Sequence, residues 1–262
     1  MFIVNILFLW LNVGWGFSAH QDIAVQVANH LPEELQFIKK EYLEELMHYA
    51  VAPDMRRHST PGESCRHFTD YDHYLDSHQS DTLAQNGDFG CAIPNLLMKT
   101  RSLAYLFVEG DTLEIVKAIG EICHYAADIC VPLHATSNYD GQLTGQLGIH
   151  ALWETTVYEL FPPITVPRVE LLELSEELLW FITSQSYTQS KEVLKNYDEC
   201  IQSCRNPYGL ILRNQVWVKS WSAEFLRLFL ELEKERINKR FELSVNLAYT
   251  CVLSAFEANS LK

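Results

Sequence analysis

Basic residues are scarce in this chain. Its 20 Lys and Arg stand against 34 Asp and Glu, which leaves a net charge of −14. That acidic excess repels nucleic acid and anionic membranes at long range, so a stable nucleic-acid partner is not expected. Bound divalent ions would reverse the sign locally, so neither class is excluded as a substrate. Beyond the first 19 residues there is no long apolar run. The seven cysteines contain no C-x-x-C pair, which excludes the common zinc–thiolate modules. No stretch alternates convincingly at period two, so no sheet is expected. Internal repeats and low-complexity tracts are missing as well.

What is present describes a packed globular protein. The chain has 262 residues, 48% of them apolar and 12% aromatic, enough for one domain with a full-sized core. Residues 1–14 are apolar, carry no acid and end at Gly14. They read as a secretory signal cleaved after Gly14, with residues 15–262 as the mature domain, secreted or periplasmic. A membrane anchor would need about 17–25 apolar residues. An oxidising compartment allows disulfides, but the odd count leaves at least one thiol free. Cys65 with Cys91, or Cys200 with Cys204, are the candidate pairs. Cys123 and Cys130, two turns apart, read as small buried hydrophobes.

Helical periodicity runs almost throughout. Apolar residues recur at three- and four-residue intervals over 33–50 and over 93–108. Asp111 with Glu114 forms a capping-box pattern, opening a helix that runs to about Cys130 before Pro132 stops it. A loop over 131–147 leads to a helix from Gly148 to Leu160, ended by Pro162 and Pro163. Helices near 169–187, 189–203 and 209–258 follow, the last interrupted. Trp217 and Trp221 read as core residues. The expected fold is all-α, a single compact multi-helix domain with metal-binding residues on inward helix faces.

One pattern carries chemistry: His124-x3-Asp128-x5-His134-x15-His150-x3-Glu154. At 100° per residue, four steps return a side chain to nearly the same helix face. His124 with Asp128, and His150 with Glu154, can each converge on one metal. Mixed imidazole and carboxylate donors suit zinc better than calcium or magnesium. A single such pair is ordinarily a surface contact; two pairs flanking a Pro-bounded loop histidine are far harder to obtain by chance. Upstream stand His20 in Trp15-Gly16-Phe17-Ser18-Ala19-His20, Asp54 after Pro53, and His67 in His67-Phe68-Thr69-Asp70.

Taken in order, Trp-Gly-x3-His, Asp, His-Phe-x-Asp and the five-residue pattern resemble the zinc-dependent phospholipase C and single-strand nuclease superfamily over Trp15 to about Leu160. The resemblance implies three zinc ions: one held by Asp54, His67, His124 and Asp128, a second by His134, His150 and Glu154, a third by His20, Asp128 and Trp15. Trp15 would use its backbone amine and carbonyl, and that amine is free only after cleavage at Gly14. The implied reaction is hydrolysis of a phosphodiester by metal-activated hydroxide, with Asp54 and Asp128 as catalytic residues. Phe68, Asp70 and Asn138 are the implied substrate-side residues. Glu154 as last ligand resembles the phospholipase branch. The five-residue step from Trp15 to His20 is nearer the nuclease branch. The leading expectation is a phospholipase C-like hydrolase with transient membrane-surface contact. A nuclease or nucleotidase of the same superfamily, or a catalytically silent zinc module, are the alternatives.

Overall fold

The structure, a computed structural model, describes residues 16–79, 90–213 and 216–260. The expected signal segment 1–14 and Trp15 lie outside them. The helices are α1 (Phe17–His30), α2 (Gln36–Glu41), α3 (Leu43–Arg56), α4 (Tyr71–Gln79), α5 (Ala92–Glu109), α6 (Thr112–Cys130), α7 (Ile149–Ala151), α8 (Glu176–Ser203) and α9 (Ala223–Ser260). None of the described helices is long and apolar enough to cross a membrane.

Helix α6 is the axis of the fold. The capping box at its start forms as expected: Glu114 N–H donates to Asp111 Oδ1 at 2.9 Å, and Asp111 N–H donates to Glu114 Oε2 at 3.4 Å. From Ala118 to Cys130 every residue is buried, the condition of a helix enclosed on all sides. Helices α3, α5 and α9 pack around it. The approach of α3 is closest at Gly120. A Cβ there would lie 2.7 Å from Tyr49 Cβ and 2.9 Å from the Leu46 carbonyl oxygen, so glycine lets the two backbones meet. Cys123, Cys130 and Cys251 are buried free thiols on α6 and α9.

Three expectations change in the structure. The helical run over 33–50 divides at Tyr42 into α2 and α3. The helix expected from 169 begins at Glu176, where the Ser175 hydroxyl caps it by accepting from Leu178 N–H, and then runs unbroken to Ser203. Upstream of Ser175 the chain is not helical, and its backbone donors go to side chains: Val166 N–H to Gln26, Glu170 N–H to Asn246, Leu172 N–H to Thr250. Those side-chain acceptors on α1 and α9 compete with a helical ladder. The third change is an antiparallel hairpin, β1 (Tyr208–Arg213) with β2 (Val216–Trp221), where helix was expected. The directly opposed pair Tyr208 and Trp221 has ring centroids 5.1 Å apart, the kind of cross-strand contact that stabilises a ladder. Trp221 is half-buried and stacks on Phe225 at 4.6 Å. The side chain of Trp217 lies outside the described residues. Of the two candidate disulfides, Cys65–Cys91 forms, and Cys200 and Cys204 are free and buried.

Candidate metal centre

Six segments meet at one buried point. Helix α1 presents His20. Asp54 follows Pro53 in the last turn of α3. A 3-10 turn over Ser64–His67 presents His67, and α6 presents His124 and Asp128 one turn apart. A second 3-10 turn, Pro132–Ala135, presents His134. His150 sits on α7, and Glu154 on the π-turn Leu152–Val157 that continues it. That His–Glu pair converges through a widened turn rather than the regular helix the sequence implies. All eight side chains are buried.

Backbone ties hold these segments in place. The Cys65–Cys91 disulfide and the Cys91 N–H bond to the Cys65 carbonyl (2.7 Å) anchor the strand that follows His67. Thr69 N–H donates to the His134 carbonyl at 2.9 Å, joining two histidine-bearing turns. Gly16 N–H donates to the Glu154 carbonyl at 3.1 Å. His124 Nδ1 bonds the Ala50 carbonyl oxygen at 2.8 Å across the close α3–α6 contact. That bond fixes the imidazole with Nε2 directed into the site.

The donor distances fit zinc. Bonds of 2.0–2.1 Å to a tetrahedral ion put neighbouring ligand atoms about 3.3 Å apart. In one group, Asp128 Oδ2 lies 2.9 Å from His67 Nδ1 and 3.2 Å from His124 Nε2, and those two nitrogens are 3.1 Å apart. Asp54 Oδ1 completes it at 3.7 Å from His67 Nδ1 and 4.0 Å from His124 Nε2. In another, His134 Nε2, His150 Nε2 and Glu154 Oε1 are mutually 2.9–3.1 Å apart. Asp128 Oδ1 reaches toward the remaining histidine, 3.6 Å from His20 Nε2, and toward the second group, 3.4 Å from His134 Nδ1. His20 also groups with Asp54 and His124. Buried polar atoms without partners are rare in folded proteins. Here both His20 nitrogens, Asp54 Oδ2, Asp128 Oδ1, His134 Nδ1 and both Glu154 oxygens have no hydrogen-bond partner. Cations at this point would satisfy them together, so the residues fit the implied metal.

The electrostatics of Asp128, His20 and His150 point the same way, while His124 and Glu154 are drawn toward their protonated forms. Burial alone would raise Asp128, but the neighbouring His124 and His134 outweigh it and hold the carboxyl well below the usual carboxylate range. Burial, then His124, pushes His20 well below an ordinary imidazole. Burial, then Arg57, lowers His150 to about 4. Burial works against protonation of His124, yet Asp128 and Asp54 outweigh it and raise that imidazole to about 9. Burial raises Glu154 to about 7. An anionic Asp128 and neutral His20 and His150 are the protonation states that metal ligands need.

Other residues line the site. Phe68 is half-buried with its ring centroid 4.7 Å from that of His134 and 5.5 Å from that of Tyr139. Asn138 holds the following loop: Leu143 N–H donates to its Oδ1 at 2.8 Å, and its Nδ2 donates to Thr144 Oγ1 at 2.7 Å. Asp70 begins α4, its carbonyl accepting from Tyr74 N–H, and burial raises its carboxyl. Sequence reasoning missed two further features. Glu63, fully buried, accepts from Arg56 Nε at 2.9 Å and from the Tyr125 hydroxyl, and lies 3.8 Å from His67 Nε2. Arg57 places its guanidinium 4.6 Å over the Phe68 ring. The Asp54-x2-Arg57 spacing on one helical face was the signal available for the second.

A family model of zinc-dependent phospholipase C matches residues 19–211. Among solved structures, the chain is similar to Clostridium perfringens alpha-toxin from an avian strain, with a TM-score of 0.50 and 15% identity. The alignment covers 92% of this chain and 64% of the toxin chain, so the protein spans less than two thirds of that relative's length. At that identity the likeness speaks for the fold. A search of curated proteins finds no similar sequence. The family match runs from α1 into β1 and takes in every site histidine and carboxylate described above, and on that extent the chain belongs to the zinc-dependent phospholipase C family.

Proposed function

We propose that this protein is a zinc-dependent phosphoesterase of phospholipase C type, hydrolysing the phosphodiester bond of a phospholipid. The observation that carries the proposal is the buried convergence of five imidazoles and three carboxylates whose free atoms lack any other partner. Asp54, His67, His124 and Asp128 are proposed to hold one zinc ion and His134, His150 and Glu154 a second. His20 and Asp128, with Trp15, are proposed to hold a third. When bound, such ions act as Lewis acids that activate water and neutralise charge on the phosphate.

The chain's own residues do the rest. Asp128 orients His67 and His124 through Oδ2 and turns Oδ1 toward His20 and His134. Asp54 keeps an unshared buried oxygen, Oδ2, suited to accepting a proton from an attacking water. Phe68 and Tyr139 give the site an apolar wall against which a substrate packs and from which water is displaced. Asp70 is proposed to act on the substrate side with them, and Asn138 through the loop it holds. Secretion after cleavage at Gly14 belongs to the same reading, because it frees the Trp15 amine.

The test is direct. Purified protein should contain close to three zinc ions per chain, hydrolyse phosphatidylcholine or another phospholipid, and lose both activity and thermal stability to a chelator. Faster hydrolysis of single-stranded nucleic acid than of any phospholipid would overturn the substrate assignment. Active protein with one ion or fewer would overturn the cluster.

A further inference from the structure

Two adjacent arginines follow Asp54, and the structure uses them differently. Arg56 is consumed by the fold: its guanidinium donates to Glu63 at 2.9 Å, to Glu121 at 2.7 Å and to the Tyr125 hydroxyl at 3.0 Å. Arg57 makes no ion pair or side-chain hydrogen bond among the described residues. Its guanidinium lies over Phe68, 4.6 Å from the ring centroid, and its buried Nε has no partner. Phe68 in turn contacts the His134, Tyr139 and His150 rings. An aromatic face fixes the guanidinium without using its N–H donors. In a protein of net charge −14, a cation with no carboxylate partner among the described residues, beside a cluster of ligating side chains, stands out. Leaving a half-buried guanidinium unpaired costs free energy that a bound anion would recover.

We propose that Arg57 is a specificity-determining residue that selects phospholipids with an anionic head group over those with a quaternary ammonium. The proposal rests on the phosphoesterase reading and names its substrate class. Held on Phe68, the fork of N–H donors matches a carboxylate or a second phosphate in two-point geometry. The same fixed cation repels a choline nitrogen, so selection works against one class as well as for the other. Family membership favours a lipid over nucleic acid as the source of that anion.

The zinc-loaded protein and its Arg57→Gln and Arg57→Lys variants should be compared on monomeric short-chain phosphatidylserine and phosphatidylcholine, which removes vesicle-surface charge from the measurement. Calorimetric binding of soluble phosphoserine and phosphocholine provides a readout independent of turnover. The parent should prefer the serine lipid. Arg57→Gln should lower the serine-to-choline ratio of kcat/KM about 10- to 100-fold, the effect of losing a charge-assisted hydrogen bond. Arg57→Lys should fall between the two. The phosphoserine-to-phosphocholine affinity ratio should drop in parallel, with zinc content unchanged. An equal loss on both lipids, with the ratio intact, would overturn the proposal and make Arg57 a ligand of the scissile phosphate or a structural residue. A preference for choline in the parent, or Arg57-dependent cleavage confined to single-stranded oligonucleotides, would overturn it also. If the parent hydrolyses no phospholipid, the phosphoesterase reading fails, and the head-group affinities alone still decide whether Arg57 selects anions.

Discussion

Removing the Cys65–Cys91 disulfide tests how the site is held together. The substitution Cys65→Ala with Cys91→Ala deletes a cross-link between residues 26 apart in sequence. The chain-entropy relation for a loop of that length gives about 12 cal/mol/K, or about 3.5 kcal/mol at room temperature. With an unfolding entropy of about 2.1 cal/mol/K per residue, a chain this long should lose about 6 °C in Tm. Cys65 is exposed and Cys91 half-buried, so the alanines add little through lost packing. The larger consequence is local. The bridge anchors the 3-10 turn carrying His67 and the residue after it, Phe68, whose carbonyl accepts from Ala92 N–H at 3.2 Å. Without it His67 is less tightly placed, and zinc affinity should fall while the other donor groups stay intact. Scanning calorimetry of zinc-free and zinc-loaded protein, with competitive zinc titration, measures both effects. A Tm within about 2 °C of the parent, with unchanged zinc affinity, would refute the view that this bridge holds His67 in position.

Further outcomes follow from the same geometry. Asp128→Asn keeps the shape but removes the one charge that faces His20, His67, His124 and His134; zinc content should drop by more than one ion and activity by several orders of magnitude, read by elemental analysis and lipid hydrolysis. Glu154→Asp keeps the charge but shortens its reach to His134 and His150, and should cost activity only moderately with partial zinc retention in the same assays. Gly120→Ala would set a Cβ 2.9 Å from the Leu46 carbonyl oxygen and 3.0 Å from Ala50 N; urea unfolding should show a loss of about 1–3 kcal/mol from overpacking, partly offset by the helical preference of alanine. For acid stability, burial would raise the Glu121 carboxyl, but Lys99 and Arg56 outweigh it and hold it below its ordinary value of 4.5. A depressed folded value stabilises above 4.5 and is lost as pH falls through it, so the parent should weaken below about pH 4.5 in denaturant titrations and Glu121→Gln should show a shallower decline.

The sequence by itself determined the helical class and singled out the eight side chains that the fold brings together at the candidate metal centre. Periodicity set at 3.6 residues reports which face of a helix is apolar, and the four-residue steps from His124 to Asp128 and from His150 to Glu154 are covalent facts that survive any packing. The capping box at Asp111 and the stop at Pro132 are equally local. Tertiary structure alone decided the rest. The hairpin pairs Tyr208 with Trp221 across its two strands, and such a pairing has no signature at helical spacing. The start of α8 moved to Glu176 because side chains on α1 and α9 took the backbone donors of the segment before it. Which nitrogen of His124 faces the site was settled by the Ala50 carbonyl, brought near by the missing Cβ of Gly120. Arg56 and Arg57 are indistinguishable as letters. Only the fold turns one into a buried network with Glu63 and Glu121 and lays the other over Phe68 with no ion-pair partner among the described residues. Charge and donor geometry belong to a residue type, but whether a neighbour already neutralises them is a property of the packed chain.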